Sequence, residues 1–433
     1  MLSFIGIAAG LVLFVLLAYR GFNLVLSAIV GSCVIFLFSG VGLLEGLNGI
    51  YLPGMAEFIK NYFMIFLLGS LLGRLLSDGG NARRIALCLA ALIRRSKHNR
   101  QFYCVLMVPV LYFLLCYAGI SGFVVVFTVL PIAKDLFEET NTPWRLYCCA
   151  GAQTVNAAVL AGSLQACNIY AADVCGTTTT AGLLLSLIAV AVFWSVSLGM
   201  LWLVLKRAGE NHEEFLPSGK GIQEASLDEG MSEEKLPGIL PSLLPLAAVI
   251  VMSAVLKIDV VASLAAGCIL TVVTGARSLL PRLGASLASG AISVYGPVLS
   301  VSATYAIGVA LKNVPGFYYF EAFFTSLPGL FGAPALGITV AFIMASSVAP
   351  IPAFGAQMLE QYAAAGISAA NAHRMMMITS FGSIAPHNAG ISNAASVLRL
   401  PYAECLKMYM LFTYIPGVVT AVAAVLCLAA GIV

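Results

Sequence analysis

Apolar runs of membrane length fill most of the chain, and short polar or charged stretches separate them. The first run, Leu2 to Tyr19, has no basic residues before it and no small-residue cleavage site after it, so it is expected to be a retained span rather than a signal peptide. About 20 apolar residues in a helix match the hydrocarbon thickness of a bilayer. The pattern therefore predicts an all-α polytopic membrane protein.

The composition agrees with this class. Of the 433 residues 61% are hydrophobic and 9% are charged, whereas soluble domains carry roughly 25% charged residues. The net charge of +3 is no sign of a nucleic-acid partner, and none is expected, because the basic residues lie at the ends of apolar runs and form no patch. The 11 cysteines show no CxxC or zinc spacing, so no metal or cofactor is expected.

Charge asymmetry predicts the orientation. The loop 41–60 is poorly basic, whereas the stretch after it is the most basic of the chain and carries Arg74, Arg83, Arg84, Arg94, Arg95, Lys97 and Arg100. By the positive-inside rule this stretch is cytoplasmic and the N-terminus lies outside. Within it, 82–93 is too short to span and has arginines at its ends, which favours an interfacial helix.

The rest of the first half is predicted as a hairpin and two further spans. Residues 101–140 read as a re-entrant hairpin around the tip Ala118–Gly122, with two ordinary spans as the alternative. The span 145–173 is too polar to face lipid, and Gly162–Ser163 is a natural place for it to open. Residues 177–205 close this half.

The second half repeats the plan. A hydrophilic linker, 207–237, separates 1–206, whose scaffold spans are 1–80, from 238–433. The predicted elements of the second half include a crossing at 285–311, an aromatic interfacial helix at 317–327, a hairpin at 335–365, a broken span at 369–400 and a closing span at 409–432. About five spans and one hairpin per half give an odd number of crossings, so the two halves are predicted to be inverted repeats.

The clearest break lies at FGSIAPHNAGISN, Phe381 to Asn393. Pro386 removes a backbone donor and clashes with the preceding turn. Unwound backbone at membrane depth is tolerated only inside protein or along a cavity. The stretch GSLQACN, Gly162 to Asn168, can be aligned with GSIAPHN, Gly382 to Asn388, but an alignment on Arg145 and Arg374 gives another register. Both registers stay open on sequence alone.

Several stretches carry a family resemblance. The run Ala118 to Leu146, the pair His373–Arg374 before Pro386-His387-Asn388, and Gly176-Thr177-Thr178 resemble the gluconate permease (GntP) family, especially its hydroxybutyrate-permease-like branch. The resemblance implies the ion-transporter superfamily fold, with a scaffold and a transport domain, a homodimer and an elevator mechanism. It also implies proton-coupled import of small hydroxylated carboxylates. Ala161–Gly162 and Ala385 depart from the family's Leu-Pro and Leu, which leaves the substrate open.

The hairpin tips and breaks supply the candidate binding residues. Helix N-termini offer free N–H groups and a positive dipole end to a carboxylate, and Ser and Asn donate to carboxylates and hydroxyls. The candidates are Ser121, Gly122, Gly162, Ser163, Asn168, Ser346, Ser347, Ser383, His387 and Asn388. Each serine or glycine alone could instead serve helix packing.

His387 is the candidate for proton coupling, because an unperturbed imidazole titrates near pH 6.5. Capping of free carbonyls is its alternative role, and sodium is the alternative coupling ion. The predicted function is proton symport of a small organic acid in the bacterial inner membrane, with both termini outside. Two other classes are a serine protease using Gly119-Ile120-Ser121-Gly122, with His387 as base, and a passive channel.

Overall fold

The computed structural model describes residues 2–20, 22–95, 99–120, 122–223, 236–256, 258–327, 329–385 and 388–433. All regular elements in these ranges are helical. Helices α1 to α23 are, in chain order, Leu2–Tyr19, Leu24–Ser39, Leu43–Gly46, Leu52–Asp78, Asn81–Arg95, Arg100–Tyr117, Gly122–Glu139, Gly151–Val159, Ala166–Val174, Leu183–Glu210, Lys220–Gln223, Ile239–Ile250, Val260–Thr274, Ala276–Leu279, Leu283–Ile292, Tyr295–Lys312, Phe317–Ser326, Gly329–Met344, Pro350–Ala364, Ala369–Thr379, Ala389–Leu398, Tyr402–Tyr409 and Ile415–Ala429. Short π-helical turns cover Leu47–Tyr51, Val251–Val255 and Met410–Tyr414, and 3-10 turns cover Trp144–Ala150, Leu280–Arg282 and Ser380–Ser383.

Four helices of the described chain are long and apolar enough to cross a membrane: Leu43–Asp78, Arg100–Tyr117, Leu183–Glu210 and Tyr402–Ala429. A fifth span results if Val260–Thr274 and Ala276–Ile292, which meet at 83°, are counted together. Shorter apolar helices such as α1, α2 and α12 accompany them. These lengths agree with a multi-pass membrane protein.

Two expected boundaries differ in the structure. The loop 41–60 is helical from Leu43, because its polar residues Glu45, Asn48 and Glu57 are exposed while Tyr51 and Phe58 are buried and pack. The crossing expected at 285–311 is interrupted between α15 and α16. Its first part bends away from α13 and packs on α4, where the small Gly290 lies against Leu71.

The two closing spans also have other limits. The first begins at Leu183 rather than Thr177, because Gly176 and Gly182 both adopt positive φ and enclose a loop. The second is helical from Tyr402 instead of Tyr409 and passes through a π-helical turn at Met410–Tyr414. The first closing span therefore starts later than its apolar run, and the second starts earlier.

Two apolar cores divide the described chain. The first core joins α6 and α7 to α21 and α22, and contains Leu115, Trp144 and Ile391. The second joins α18 and α19 to α9 and α20, and contains Tyr170 and Phe354. Both broken spans pass from one core to the other, so both breaks lie at the boundary between the cores.

The start of the expected linker is folded onto the bundle. After α10 the chain packs Phe215 on the Trp144 ring at a centroid distance of 6.0 Å, and Arg145 Nη2 pairs with Glu213 Oε2 at 2.7 Å. The N–H of Phe215 also donates to Asn141 Oδ1 at 3.0 Å. The remainder of the linker, 224–235, lies outside the described residues.

We expect Phe215→Ala to release this docked segment, because a buried aromatic ring typically contributes about 3–5 kcal/mol to packing. Limited proteolysis of the purified protein should then cut after α10 at least several-fold faster. Glu214→Ala, at the exposed neighbouring residue, is the matched control and should be cut at the wild-type rate. Equal rates in both variants would show that Phe215 does not hold the segment.

Candidate functional site

The first broken span opens between α8 and α9. Gly162 has φ +86°, which a side chain would disfavour, and its N–H donates to Thr179 O at 2.8 Å. The opened backbone is held by the first hairpin tip. Gln165 Nε2 donates to Cys116 O at 2.5 Å and to Ile120 O at 3.1 Å, and the Leu164 N–H donates to Tyr117 O at 2.9 Å. Hairpin tip and break therefore form one polar unit.

The second broken span opens between Ser383 and α21. Asn388 Nδ2 donates to Ser383 O at 2.8 Å and to Ala345 O at 3.0 Å. Ala345 lies at the tip of the second hairpin, between α18 and α19, so these bonds fasten the break to that tip. Asn388 Oδ1 accepts from the N–H groups of Gly390 at 2.8 Å and Ile391 at 3.2 Å, so it caps the N-terminus of α21.

The two breaks share one hydrogen-bond motif. Asn168 Nδ2 donates to Ser163 O at 2.6 Å, and Asn388 Nδ2 donates to Ser383 O at 2.8 Å, each to the carbonyl five residues earlier. The structure thereby favours the register that aligns Gly162–Asn168 with Gly382–Asn388. The register based on Arg145 and Arg374 does not superimpose these bonds.

The remaining predicted site residues have local partners. Ser346 Oγ accepts from Val348 N–H at 3.2 Å and from Ala349 N–H at 3.1 Å, and so closes the turn that precedes α19. Ser163 Oγ accepts from the N–H of Gln165 at 3.3 Å. Gly122 begins α7 beside Thr154, Ser347 is half-buried, and Ser383 is buried. Ser121 and His387 lie outside the described residues.

The predicted residues thus form two groups, one around each break. Separate hydrogen bonds hold the first group (Gly162, Ser163 and Asn168) and the second group (Ser346, Ser383 and Asn388). The link from the first group to the second half of the chain is made by residues that were not among the candidates. These are His373 and Arg374 on α20.

His373 and Arg374 are fully buried, with 0% of each residue exposed. His373 Nε2 lies 2.9 Å from Asn168 Oδ1, and His373 Nδ1 lies 2.8 Å from Thr177 Oγ1. Arg374 donates from Nη1 to Val159 O at 3.1 Å and from Nη2 to Thr179 O at 2.8 Å. These contacts join α20 to the end of α8, to α9 and to the loop that follows it.

Arg374 is a buried cation without a carboxylate partner among the described residues. Backbone carbonyls, including the negative dipole end of α8 at Val159, compensate part of its charge. Its Nε is buried and has no hydrogen-bond partner in the described structure. An incompletely paired buried charge is costly and marks a functional-site candidate in a membrane protein.

Sequence reasoning missed this pair because Arg374 resembled the flank of an apolar run and His373 lay near its end. The available signal was a His-Arg dipeptide only a few residues inside the helix-compatible run Ala369–Thr379. Arginine within such a run needs compensation. The compensating carbonyl at Val159 lies 215 residues away and could not be identified without the fold.

We expect Gly382→Ala to destabilise the protein by about 1–3 kcal/mol, the usual effect of overpacking a buried site. An added Cβ at Gly382 would collide with the backbone carbonyl of Ile338 on α18, which cannot rotate away. Gly199→Ala on α10 is the control, since its Cβ would meet open space and alanine favours a helix. Thermal unfolding in detergent should show a lower midpoint for Gly382→Ala alone; equal midpoints would contradict the close contact.

Comparison with known proteins agrees with this architecture. The family model described as GntP family permease matches residues 2–310. The uncharacterized transporter YxjC of Bacillus subtilis (strain 168) is 26% identical over 466 residues, which cover 94% of this chain and 95% of that protein. The crystal structure of the Alcanivorax borkumensis YdaH transporter, reported as having an unusual topology, matches with a TM-score of 0.52 and 14% identity over 87% of this chain and 88% of that chain.

These relatives exclude one of the classes that the sequence left open. The identity to YdaH is low and supports a common fold alone. The family match covers well over half of the chain and ends before α18. Because the family and the Bacillus relative are transporters, the GxSG protease is ruled out as the activity. The chain belongs to the GntP permease family and is a multi-pass membrane transporter rather than an enzyme.

Proposed function

We propose that this transporter imports a small hydroxylated carboxylate, gluconate-like or hydroxybutyrate-like, by proton symport. The observation that carries the proposal is the pair of broken helices, each fastened to a hairpin tip by one asparagine or glutamine side chain. Helices α9 and α21 begin at these breaks, and α7 and α19 begin at the tips. Four helix N-termini beside opened backbone provide N–H donors and positive dipole ends for an anion.

An elevator mechanism between inverted repeats is part of the proposal. Elements α1, α2, α4, α5, α6–α7, α8–α9 and α10 recur in order as α12, α13, α15–α16, α17, α18–α19, α20–α21 and α22–α23. Their packing recurs as well: α1 contacts α2 as α12 contacts α13, and α2 contacts α16 as α13 contacts α4. Helices α10 and α23, the last of each half, pack on each other. These relations support a scaffold of α1, α2, α4, α12, α13, α15 and α16 that holds a moving transport domain.

The proposed setting is the bacterial inner membrane, with both termini outside and a homodimer as the working unit. The arginines of α5 support the orientation, because they would place this amphipathic helix at the cytoplasmic surface. Sodium coupling is the alternative. The buried cation Arg374 beside the first break favours an anionic solute under either coupling ion.

Uptake into proteoliposomes tests the proposal. With gluconate or 3-hydroxybutyrate outside and an inward proton gradient, we expect accumulation above the equilibrium level, and a protonophore should abolish it. Accumulation that follows a sodium gradient instead would identify sodium, rather than the proton, as the coupling ion. Simple equilibration without accumulation would indicate a channel, and the absence of uptake of any short hydroxy- or ketoacid would refute the carboxylate assignment.

A further inference from the structure

We infer that His373 and Arg374 form the coupling centre of the carrier: Arg374 binds the carboxylate of the solute, and His373 carries the co-transported proton. The inference rests on the proposed function and names the residues that would perform it. It depends on the hydrogen bonds around the two side chains and on their complete burial where α20 packs against the first break.

The imidazole contacts cannot all be satisfied while His373 is neutral. Its Nε2 lies 2.9 Å from Asn168 Oδ1, which only accepts, and 2.9 Å from Arg374 Nη2, which only donates. A protonated Nε2 bonds Asn168 and opposes Arg374, and an unprotonated Nε2 does the reverse. Asn168 cannot exchange its amide N and O without loss, because its Nδ2 already donates to Ser163 O and Thr179 O.

A second proton removes the tautomer in which Nε2 accepts from Arg374 and fixes the imidazole in the form that bonds Asn168 and Thr177. The imidazolium ion donates from Nε2 to Asn168 Oδ1 and from Nδ1 to Thr177 Oγ1, which can accept at 2.8 Å. Arg374 Nη2 then loses its acceptor on His373. Two cations would lie next to each other in a buried site, so this state requires an anion.

The guanidinium group has an edge suited to that anion. Nε and one N–H of Nη2 lie on the same edge of the planar group, where they can bind both oxygens of a carboxylate. Nε has no partner in the described structure, and Nη2 contacts both Thr179 O and His373 Nε2. The bonds from Nη1 to Val159 O and from Nη2 to Thr179 O hold the arginine in place, and the contact of Nη2 with His373 is the one that protonation removes. Protonation of His373 therefore opens a bidentate carboxylate site.

The charges balance for a monovalent acid. The empty site carries the single charge of Arg374, and the loaded site carries Arg374, the imidazolium proton and one carboxylate, which again sum to one positive charge. The carrier would thus move with the same charge in both directions. One proton and one carboxylate crossing together transfer no net charge, so uptake should follow the pH gradient and ignore the membrane potential.

No carboxylate among the described residues competes for this role. Arg374 interacts electrostatically with Cys167 of α9, with Cys175 directly after α9, and with Tyr117 of α6. The other titratable groups on the helices packed against α20 are Tyr170 and Asp173 of α9, Glu360 and Tyr362 of α19, Lys206, Arg207 and Glu210 of α10, and Cys427 of α23. Asp173 and Glu360 are exposed at the surface, and the charged residues of α10 lie in its last two turns. The anion must therefore come from solution.

Arg374→Gln tests the carboxylate site. In this variant we expect gluconate and 3-hydroxybutyrate to bind at least about 30-fold more weakly, or by about 2 kcal/mol. The rise in melting temperature that either solute causes should therefore be smaller than in the wild type. Its melting temperature without solute should stay at the wild-type value or rise, because a buried charge has been removed. Arg374→Lys keeps the charge without the bidentate edge and should bind more weakly than wild type. Arg277→Gln, at an exposed arginine, is the control.

His373→Gln tests the proton. We expect it to lose accumulation driven by a pH gradient while it keeps solute exchange across the membrane at equal pH, because only net transport requires the proton to leave. His212→Asn, at an exposed loop histidine, should keep both activities. In the wild type, clamping the membrane potential with valinomycin and potassium should leave the pH-driven uptake unchanged.

The results separate the two proposals. A wild type that transports no short acid refutes the proposed function itself. A wild type that transports the acid, with His373→Gln and Arg374→Gln variants that accumulate it normally, overturns the coupling centre alone. Failure of Arg374→Gln and Arg374→Lys to fold, or parallel loss of exchange and accumulation in His373→Gln, would identify a structural clamp and likewise overturn it.

Discussion

Gly182→Ala is expected to abolish solute uptake, although the change adds one methyl group outside both breaks. Gly182 has φ +63°, and a Cβ there would lie 2.5 Å from Arg374 Cγ and 2.6 Å from Ala370 O. Left-handed backbone costs an L-residue about 1 kcal/mol, and the collision adds roughly 1–3 kcal/mol. The side chain of Arg374 and the backbone at Ala370 must both shift to relieve it, and we expect this shift to break the bonds from Arg374 to Val159 O and Thr179 O.

Gly176→Ala is the matched control for this prediction. Gly176 begins the same loop with φ +59°, but a Cβ there has no atom within 4 Å. This variant carries the conformational strain without the collision and should keep most of its uptake. Uptake and thermal unfolding would be measured for both variants in proteoliposomes and detergent. If Gly176→Ala lost uptake to the same extent, strain in the loop rather than displacement of Arg374 would be responsible.

Asn168→Leu should produce the largest loss of stability of any single change at the breaks. The substitution keeps the side-chain size, but it removes the partner of Ser163 O at 2.6 Å, one of the partners of Thr179 O at 3.2 Å, and the partner of His373 Nε2 at 2.9 Å. A buried polar group that loses its partner costs about 1–3 kcal/mol. Because Asn168 is completely buried, we expect a total loss of roughly 3–6 kcal/mol.

Asn388→Leu and Asn48→Leu are the two variants with which the loss of stability in Asn168→Leu is compared. Asn388 makes comparable bonds but is only half-buried, so water can replace part of them and the loss should be smaller. Asn48 is exposed on a π-helical turn and should change stability little. Thermal unfolding of the three variants should rank them in this order. An Asn168→Leu variant as stable as Asn48→Leu would show that the amide does not support the first break.

The two breaks share a hydrogen-bond motif but differ in what else they bind. Asn388 uses its oxygen to cap α21, whereas Asn168 directs its oxygen to His373. The second half thus provides the ionisable pair to the break of the first half. The two breaks therefore do not contribute equally, because the charged groups lie beside one of them.

The positions of the breaks could be predicted from local chemistry. A polar stretch with glycine inside an otherwise apolar run indicates opened backbone, and the structure interrupts the helix at Gly162 and again after Ser383. Helix limits were less predictable. The helical start at Leu43 depends on which side of the helix packs, and the interruption between α15 and α16 depends on contacts with α4.

The charged pair could not be predicted because its meaning depends on distant partners. His373 and Arg374 are adjacent in sequence, but their partners Asn168 and Val159 lie 205 and 215 residues away. Sequence alone gives an arginine close to one end of an apolar run, where it usually extends to the membrane surface. Only the packing of α20 against α8 and α9 turns it inward.

The most direct test of Arg374 as the carboxylate-binding residue is a solute-bound structure determined with gluconate or 3-hydroxybutyrate, whichever acid proves to be transported. We expect density for the carboxylate at the first break, within hydrogen-bond distance of Arg374 Nε and Nη2, with the rest of the solute between the opened backbone at Gly162 and α20. A solute bound away from both breaks, or bound at them without contact to Arg374, would contradict it.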